Sequence, residues 1–300
     1  MSEERIGFVG LGNMGGRMAR RIVDAGVPVA GFDVRADNII DAGARALPNP
    51  GAVMSESDIV LLSLPDSSVV EAVVFGDDGL LAAAREGAIV VDLSTSSPES
   101  TRRIGRELAA KRVSFLDAGI SGGAAAAQSG TLTLMVGGDE PSLDRIRGTL
   151  DLFSSNIFYC GPSGSGHTVK ILNNFLNAVS LSATAEMMVA AKKAGLDLSM
   201  VLDVVNVSSG VNFATQHRFP KIIHGDYLKG GLSNTLMLKD VTLYLELVGQ
   251  LGVPSLNAGG PVASFGLARA LGYADEISNT VVDAIGDIAG GVRLHDRSSS

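Results

Sequence analysis

Cysteine, tryptophan and charged side chains are all scarce in this chain. Its 300 residues include one cysteine and no tryptophan, and charged residues make up 19%. One cysteine, Cys160, excludes an internal disulfide and any zinc site built from cysteines, and it fits a reducing, cytoplasmic location. We interpret Cys160 as a small buried residue at the end of a strand.

Basic residues are few and scattered. The formal net charge is −8 at pH 7, whereas a nucleic-acid-binding surface needs lysine and arginine gathered on one face. We therefore expect small-molecule partners and no nucleic acid.

The chain also lacks an uninterrupted apolar run of membrane-spanning length. Its most apolar stretch, residues 169–191, contains Asn173, Asn174, Asn177 and Glu186, which a lipid-facing helix tolerates poorly. The stretch predicts a helix buried in protein. The first five residues show neither the basic nor the apolar region of a signal peptide, so we predict no export and no membrane partner.

A glycine-rich turn stands near the start. An apolar run at residues 5–9 leads into GLGNMG at residues 10–15 and then into a helical pattern, and a second apolar run ends at Asp33. This order is typical of a dinucleotide-binding strand–turn–helix–strand unit, in which the glycines admit the pyrophosphate and the acid accepts hydrogen bonds from the adenosine ribose. The predicted cofactor-binding residues here are Gly10, Leu11, Gly12, Asn13, Met14, Gly15, Asp33, Val34 and Arg35.

The same residues bear on the choice of cofactor. The Asp33 carboxylate repels a 2′-phosphate and favours NAD, while Arg35 can bind that phosphate. NAD is the preferred cofactor and NADP stays open.

Strand-like runs at residues 59–64, 88–93 and 113–116 alternate with helical patterns, as in a parallel, doubly wound sheet. Ligands bind beyond the carboxyl ends of such strands. Residues 64–66, 94–96 and 117–119 are therefore expected to line the cofactor cleft, Leu64 and Pro65 among them.

From residue 165 onward helical patterns replace strand patterns. We predict an α/β fold: a Rossmann-type, doubly wound, mostly parallel sheet domain at 1–163, then an all-α domain at 164–296 and a tail at 297–300. The long first helix, predicted at 165–194, connects the domains, and the helical domain is expected to carry substrate-binding and oligomer contacts.

Residues 161–174 read GPSGSGHTVKILNN, a pliant glycine loop followed by a helix. Lys170 and Asn174 are four residues apart and so share a helix face. Burial and nearby positive charge lower a lysine pKa, which makes Lys170 a candidate proton-transfer group. Asn174 either positions a ligand or packs as an ordinary amide.

Four motifs together resemble the β-hydroxyacid dehydrogenase family, which includes 3-hydroxyisobutyrate dehydrogenase and tartronate semialdehyde reductase. They are GLGNMGGRMA at 10–19, DAGISGG at 117–123, the 161–174 segment, and LKD at 238–240. The resemblance runs from end to end of the chain. It implies an NAD(P)-dependent enzyme that moves hydride between nicotinamide and a small hydroxy acid, such as 3-hydroxyisobutyrate or 2-hydroxy-3-oxopropanoate, in a homodimer or homotetramer.

The resemblance also implies residue roles. Lys170 is the general acid/base and Asn174 positions the substrate, whose carboxylate is held by Ser121, Gly122 and Gly123. Thr95 then lies beside the nicotinamide, and Lys239 closes the cleft.

One departure concerns the 117–123 motif, where Gly119-Ile120 replaces the family's usual Pro-Val and predicts a looser loop. The residues at 211–213 match no single substrate, so the distal group of the substrate stays open.

Several alternatives remain. A related imine reductase is expected to carry another acid at position 170, and a non-catalytic dinucleotide-binding module does not require the lysine. Lys239 and Asp240 are read either as family residues or as adjacent surface charges.

The remaining basic side chains allow two readings each. His167 either tunes Lys170 or faces solvent from a loop. Arg218 and Lys221 either contact an anionic end of the substrate or belong to a solvated basic face. The histidines show no metal-ligand spacing, so no metal is predicted.

Overall fold

The structure, a computed structural model, describes residues 4–228 and 231–295. Two compact units, Met1–Lys170 and Ile171–Ser300, divide the chain. Residue 296 and the tail predicted at 297–300 lie outside the described residues. The roles assigned to 1–163 and 164–296 stay predictions.

The first unit contains one eight-stranded sheet in the order β3-β2-β1-β4-β5-β6-β7-β8. All neighbouring strands are parallel except β6 and β7, which are antiparallel. The strands are β1 (Ile6–Val9), β2 (Val29–Phe32), β3 (Arg45–Ala46), β4 (Ile59–Leu62), β5 (Ile89–Asp92), β6 (Ser114–Ser121), β7 (Leu132–Gly137) and β8 (Ser154–Gly161).

Helices cover both faces of this sheet. Alternate residues of one strand enter two separate cores, as Leu61 and Leu62 of β4 do. Central strands that are buried on both faces therefore read as continuous apolar runs. The helices are α1 (Gly15–Asp24), α2 (Ala36–Ala42), α3 (Pro50–Glu56), α4 (Ser67–Phe75), α5 (Pro98–Ala109), α6 (Gly123–Ser129) and α7 (Glu140–Leu150).

One predicted strand end is wrong. Residues 117–119 do not lie beyond a strand but inside β6, where Gly119 pairs with Met135 of β7 and Ile120 pairs with Leu134. The antiparallel partner extends the strand to Ser121, a pairing that the short apolar run at 113–116 does not reveal. The looser loop expected from Gly119-Ile120 is likewise replaced by paired strand.

The second unit is helical, and its only β pairing among the described residues is one bridge between Ser233 and Ile277. α8 begins in the first unit and continues into the second. The helices are α8 (Ser165–Lys193), α9 (Leu198–Asn206), α10 (Phe219–Ile222), α11 (Asn234–Gln250), α12 (Gly259–Ala270) and α13 (Val281–Ile288).

Two short turns complete this unit: a π-helical turn at Ala214–Arg218 leads into α10, and a 3₁₀ turn at Ser278–Thr280 precedes α13. Its core gathers buried side chains from most of these helices, including Met188, Phe219 and Phe265. None of the described helices is long and apolar enough to cross a membrane. The predicted fold class, a doubly wound sheet followed by a helical region, is confirmed.

Candidate active site

The glycine turn between β1 and α1 has the backbone that a dinucleotide requires. Gly10 has a φ of +86°, and a Cβ there would lie 2.3 Å from the Ser63 carbonyl oxygen. A Cβ on Gly15 would lie 1.9 Å from the Gly10 carbonyl oxygen, whereas one on Gly12 would meet nothing within 4 Å. The first glycine thus makes the turn, the third lets α1 pack closely, and Gly12 leaves open backbone for a pyrophosphate to approach.

The N-terminus of α1 follows at once. Met14 occupies the N-cap, and no side chain of the described residues caps this helix. Asn13 accepts a hydrogen bond from Arg17 through both its carbonyl and its side-chain oxygen. Uncapped N–H groups and the positive end of the helix dipole form an anion site of the kind that binds phosphate.

Asp33 stands directly after β2 and fastens the glycine turn to it. Its Oδ2 accepts a hydrogen bond from the Leu11 backbone N–H at 2.7 Å. Its Oδ1 accepts from the Arg35 N–H at 2.8 Å and from Asn38 Nδ2 at 2.9 Å. Val34 is exposed. The carboxylate is thus held beside the turn, with lone pairs remaining for a ribose hydroxyl.

The ends of β4 and β5 are tied together through a buried aspartate. The Oγ of Ser94 accepts a hydrogen bond from the Leu64 N–H at 2.9 Å. The backbone N–H of Ser94 donates to Asp92 Oδ1 at 3.0 Å. Pro65 follows Leu64, and Thr95 lies on the segment that this network fixes. These residues occupy the carboxyl edge of the parallel strands, as predicted.

The 117–123 motif leaves the sheet only at its end. Ser121 is the last residue of β6, Gly122 has a φ of +123°, and Gly123, with a φ of +68°, opens α6. Only glycine adopts both of these conformations without strain.

Lys170 lies in the second turn of α8, and only 9% of it is exposed. Asp117 of β6, fully buried, holds the start of this helix: its carboxylate accepts the Gly164 N–H at 2.7 Å and the His167 N–H at 2.9 Å. A carboxylate satisfies the otherwise unpaired N–H groups there and matches the helix dipole.

Glycines bring this turn of α8 against the sheet. A Cβ on Gly119 would lie 2.4 Å from the Lys170 Cβ, and one on Gly166 would lie 2.2 Å from the Met135 carbonyl oxygen. Neither position has room for a side chain. Lys170 therefore packs directly against Gly119 of β6, which precedes Ser121 by two residues on that strand.

His167 is a third anchor of the same turn and is fully buried. Its Nδ1 lies 2.7 Å from the Thr101 Oγ1 of α5, and its Nε2 lies 3.2 Å from the Asp92 carbonyl oxygen. The reading of His167 as a solvent-facing loop residue is wrong, because it sits inside α8 and is enclosed by β5 and α5.

Asn174 and Lys239 belong to the helical unit. Asn174, which is 4% exposed, donates a hydrogen bond to the Oδ2 of Asp240. Lys239 Nζ lies 3.2 Å from Asp240 Oδ1. Asp240 is 1% exposed, so its reading as a surface charge is wrong. The carboxylate orients the Asn174 amide and pairs with the Lys239 ammonium.

Sequence reasoning missed the roles of Asp117 and Asp240. A signal exists for the second: Met237, Asp240, Val241 and Tyr244 follow the spacing of one helix face, so the acid stands on an apolar stripe. Asp117 carries no comparable local signal, because its partners lie about 50 residues away along the chain.

Cys160 is half-buried in β8 rather than fully buried, and burial raises the pKa of its thiol. Within the described residues, histidine, cysteine and carboxylate side chains form no group of three that could hold a metal ion.

Two family models match the chain. The NAD-binding domain of 6-phosphogluconate dehydrogenase matches residues 5–161. A second model, described as NAD-binding of NADP-dependent 3-hydroxyisobutyrate dehydrogenase, matches residues 164–282.

Individual proteins agree with these models. The chain is 35% identical to 2-(hydroxymethyl)glutarate dehydrogenase of Eubacterium barkeri, over 93% of each chain. The solved 3-hydroxyisobutyrate dehydrogenase of Mycobacterium tuberculosis with L-serine has a TM-score of 0.84 and 31% identity, covering 94% of this chain and 99% of that one.

An imine reductase of Streptomyces aurantiacus is also similar, with a TM-score of 0.63 and 21% identity over 93% of this chain and 98% of that one. At this identity the likeness shows a shared fold alone. From the two family models, the 35% identity over nearly the whole chain and the glycine turn that admits a dinucleotide, we conclude that the chain belongs to the β-hydroxyacid dehydrogenase family of NAD-binding oxidoreductases acting on CH–OH groups.

Proposed function

We propose that the chain catalyses reversible oxidation of a short β-hydroxy acid to the corresponding aldehyde acid, with Lys170 as general acid/base. The observation that carries this proposal is the environment of Lys170. It is a buried lysine on a helical turn whose N–H groups are capped by Asp117 and which can pack against β6 because Gly119 has no side chain. Three contacts fix the backbone of this turn: the hydrogen bonds to Asp117, the close approach of Gly119, and the buried side chain of His167. Such preorganisation is what proton transfer requires.

The bound nicotinamide supplies the hydride chemistry. The chain's own residues then have three tasks. Lys170 removes the hydroxyl proton in oxidation and returns it in reduction, because loss of hydride from carbon requires loss of the oxygen-bound proton. Ser121 and the N–H groups of Gly122 and Gly123 bind the carboxylate. Asn174, oriented by Asp240, donates to the reacting oxygen.

The substrate class follows from shared chemistry. 3-Hydroxyisobutyrate, L-serine and 2-(hydroxymethyl)glutarate, named for the similar proteins, all carry a primary alcohol on the carbon next to the one that bears the carboxylate. One carboxylate-binding segment and one proton-transfer group suit all three. We assign this chain to acids with that arrangement.

We assign NAD as the preferred cofactor on the basis of Asp33. Replacing Asp33 by Asn removes its charge with little change of shape, and we expect the NAD-over-NADP ratio of kcat/KM to fall about tenfold or more, since the 2′-phosphate is no longer repelled. The matched control is Asp41→Asn, an exposed acid on α2. An unchanged ratio in Asp33→Asn contradicts the assignment.

The experiment that tests the function is a substrate scan. 3-Hydroxyisobutyrate, L-serine, 2-(hydroxymethyl)glutarate, glycerate and 4-hydroxybutyrate are each supplied with NAD or NADP, and the absorbance of reduced cofactor is followed. We expect turnover of at least one of the first four, which share this arrangement, above 4-hydroxybutyrate, which does not. Tight cofactor binding without turnover of any of the four contradicts the proposal.

A further inference from the structure

The helical unit contains a cavity that the roles above do not use. Its volume is about 210 Å³, and it is lined by His217, Arg218, Lys221, Asp226, Tyr227 and Asn279. Tyr227 and Asn279 are buried and form its inner wall, while His217, Lys221 and Asp226 are exposed at its rim. At about 30 Å³ for a water molecule, the space holds several waters or one small acidic group.

Arg218 is the half-buried cation of this cavity. Its Nη1 donates to Asn279 Oδ1 at 2.8 Å, and its Nη2 donates to Asn177 Oδ1 at 3.1 Å. Burial lowers the pKa of its guanidinium. A solvated basic face therefore does not describe Arg218, although it does describe the exposed Lys221.

The partners of Arg218 are all neutral: besides Asn279 and Asn177, its Nη1 donates to Ser278 Oγ at 3.4 Å, and its Cζ lies 5.9 Å from the centre of the Phe213 ring. Arg293, the comparable half-buried arginine of the same unit, pairs with the carboxylates of Asp283 and Asp287. Across residues 4–228 and 231–295, no carboxylate lies within ion-pair distance of Arg218. A buried guanidinium without a counter-charge is costly, and an anionic ligand removes that cost.

The other charged residues at the cavity do not cancel the positive charge of Arg218. Lys221 adds a second positive charge, and Asp226, exposed at the rim, supplies one negative charge. The Tyr227 hydroxyl is already committed, since it donates to Asp283 Oδ2 at 2.6 Å. The cavity is therefore net positive even with His217 neutral.

The hydrogen bond to Asn177 locates Arg218 relative to the reacting residues. Asn177 follows Asn174 by three residues and Lys170 by seven, so all three positions fall on one face of α8. Arg218 thus bonds to α8 at a position about one helical turn beyond Asn174, a rise of roughly 5 Å along the helix. A substrate chain of two or three carbons has a similar length.

We propose that the Arg218 cavity binds an acidic group at the distal end of the substrate, so that the preferred substrate is a β-hydroxy acid with a second anionic group. The inference rests on the proposed function and narrows its substrate class. A carboxylate in the cavity receives charge-assisted hydrogen bonds from the Arg218 fork, with Lys221 at the rim.

The test uses two acids that differ only at the distal end. 2-(Hydroxymethyl)glutarate ends in a carboxylate, and 2-(hydroxymethyl)pentanoate ends in a methyl group. The quantity measured is the diacid-to-monoacid ratio of kcat/KM. We expect a ratio above one in the wild type and a fall of about 10- to 100-fold in Arg218→Met, which loses hydrogen bonds to a charged group.

Two further variants complete the design. Arg269→Met, an exposed arginine of α12, is the matched control and should keep the ratio. Lys221→Glu reverses a charge on an exposed side chain and should lower the ratio several-fold, which decides the matter if Arg218→Met does not fold.

An unchanged ratio in folded Arg218→Met overturns the inference, as does an unchanged ratio in Lys221→Glu when Arg218→Met is unfolded. Wild-type turnover of both acids alongside that result leaves the proposed function intact. Absence of turnover with either acid, and with 3-hydroxyisobutyrate, L-serine and glycerate, contradicts the proposed function itself.

Discussion

At the scale of single residues, two glycines, which have no side chain, determine where Lys170 lies. Gly119 of β6 and Gly166 of α8 allow backbone and Cβ atoms to approach to distances that any larger residue forbids. Close packing of this kind leaves no room for an added methyl group, because protein interiors are packed as densely as organic crystals. The position of Lys170 thus depends on glycines that themselves have no reactive group.

Gly119→Ala tests this dependence. The new Cβ would lie 2.4 Å from the Lys170 Cβ, so the turn must shift, and a shift of about 1 Å at a reacting group lowers rates about 100-fold. We expect kcat to fall about 10- to 100-fold while the protein stays folded by circular dichroism.

The control for that variant is Gly148→Ala on α7, where a Cβ meets nothing within 4 Å. Alanine there should be neutral or slightly stabilising, since it favours the helix. Equal kcat values for the two variants would contradict the packing argument.

Sequence patterns identified residues whose signal is local. The glycine turn, Asp33 and Lys170 stand out in the sequence because residue type and spacing within a few positions are enough to mark them as candidates. His167 and Asp117 were not understood in the same way, since each acts on a partner that only folding brings near. Their roles are set by β5, β6 and α5, not by neighbours in the chain.

At the scale of elements, the start of α8 is capped by a residue of a distant strand and not by a residue of its own segment. Its first N–H groups bond to Asp117 of β6, and its first turn rests on β6 and β7. This arrangement links the position of Lys170 to β6 and β7, the antiparallel pair of the sheet. Misplacing the helix start would move Lys170 with it.

Asp117→Asn should therefore destabilise the protein. Asparagine offers one acceptor oxygen instead of two, so a buried N–H at the helix start loses its partner, at a cost of about 1–3 kcal/mol. We expect a lower midpoint of urea unfolding. Asp139→Asn is the matched control, an exposed N-cap of α7 where Asn serves as well as Asp. Equal midpoints for both variants would argue against the cap.

Long elements with strong periodicity were predicted within a few residues of their observed bounds, whereas short ones were missed. β3 has only two exposed residues, and α6 lies in an alanine run without an apolar face. The π-helical turn at Ala214–Arg218 starts where the Asn212 side chain accepts the N–H groups of Ala214 and Thr215. Before α13, residues Ser278–Thr280 form a 3₁₀ turn, so the α-helix begins only at Val281.

At the scale of the whole molecule, the apolar cores of the two units are separate, two of them on the faces of the sheet and one in the helical unit, and the family models match both units. The fold class and the family were predictable because four motifs occur in order along one chain. The partial burial of Arg218 was not, because it has no counterpart in the local sequence. The homo-oligomer stays a prediction.

The central claim is that Lys170 transfers the substrate proton. The most direct measurement is kcat of Lys170→Ala on the best acid of the scan, together with the dissociation constant of the reduced cofactor from its fluorescence. We predict that kcat falls about 10²- to 10⁴-fold and that the dissociation constant stays within about twofold of the wild-type value, which is below 0.5 kcal/mol. Turnover near the wild-type rate in a folded, cofactor-binding Lys170→Ala would contradict the account.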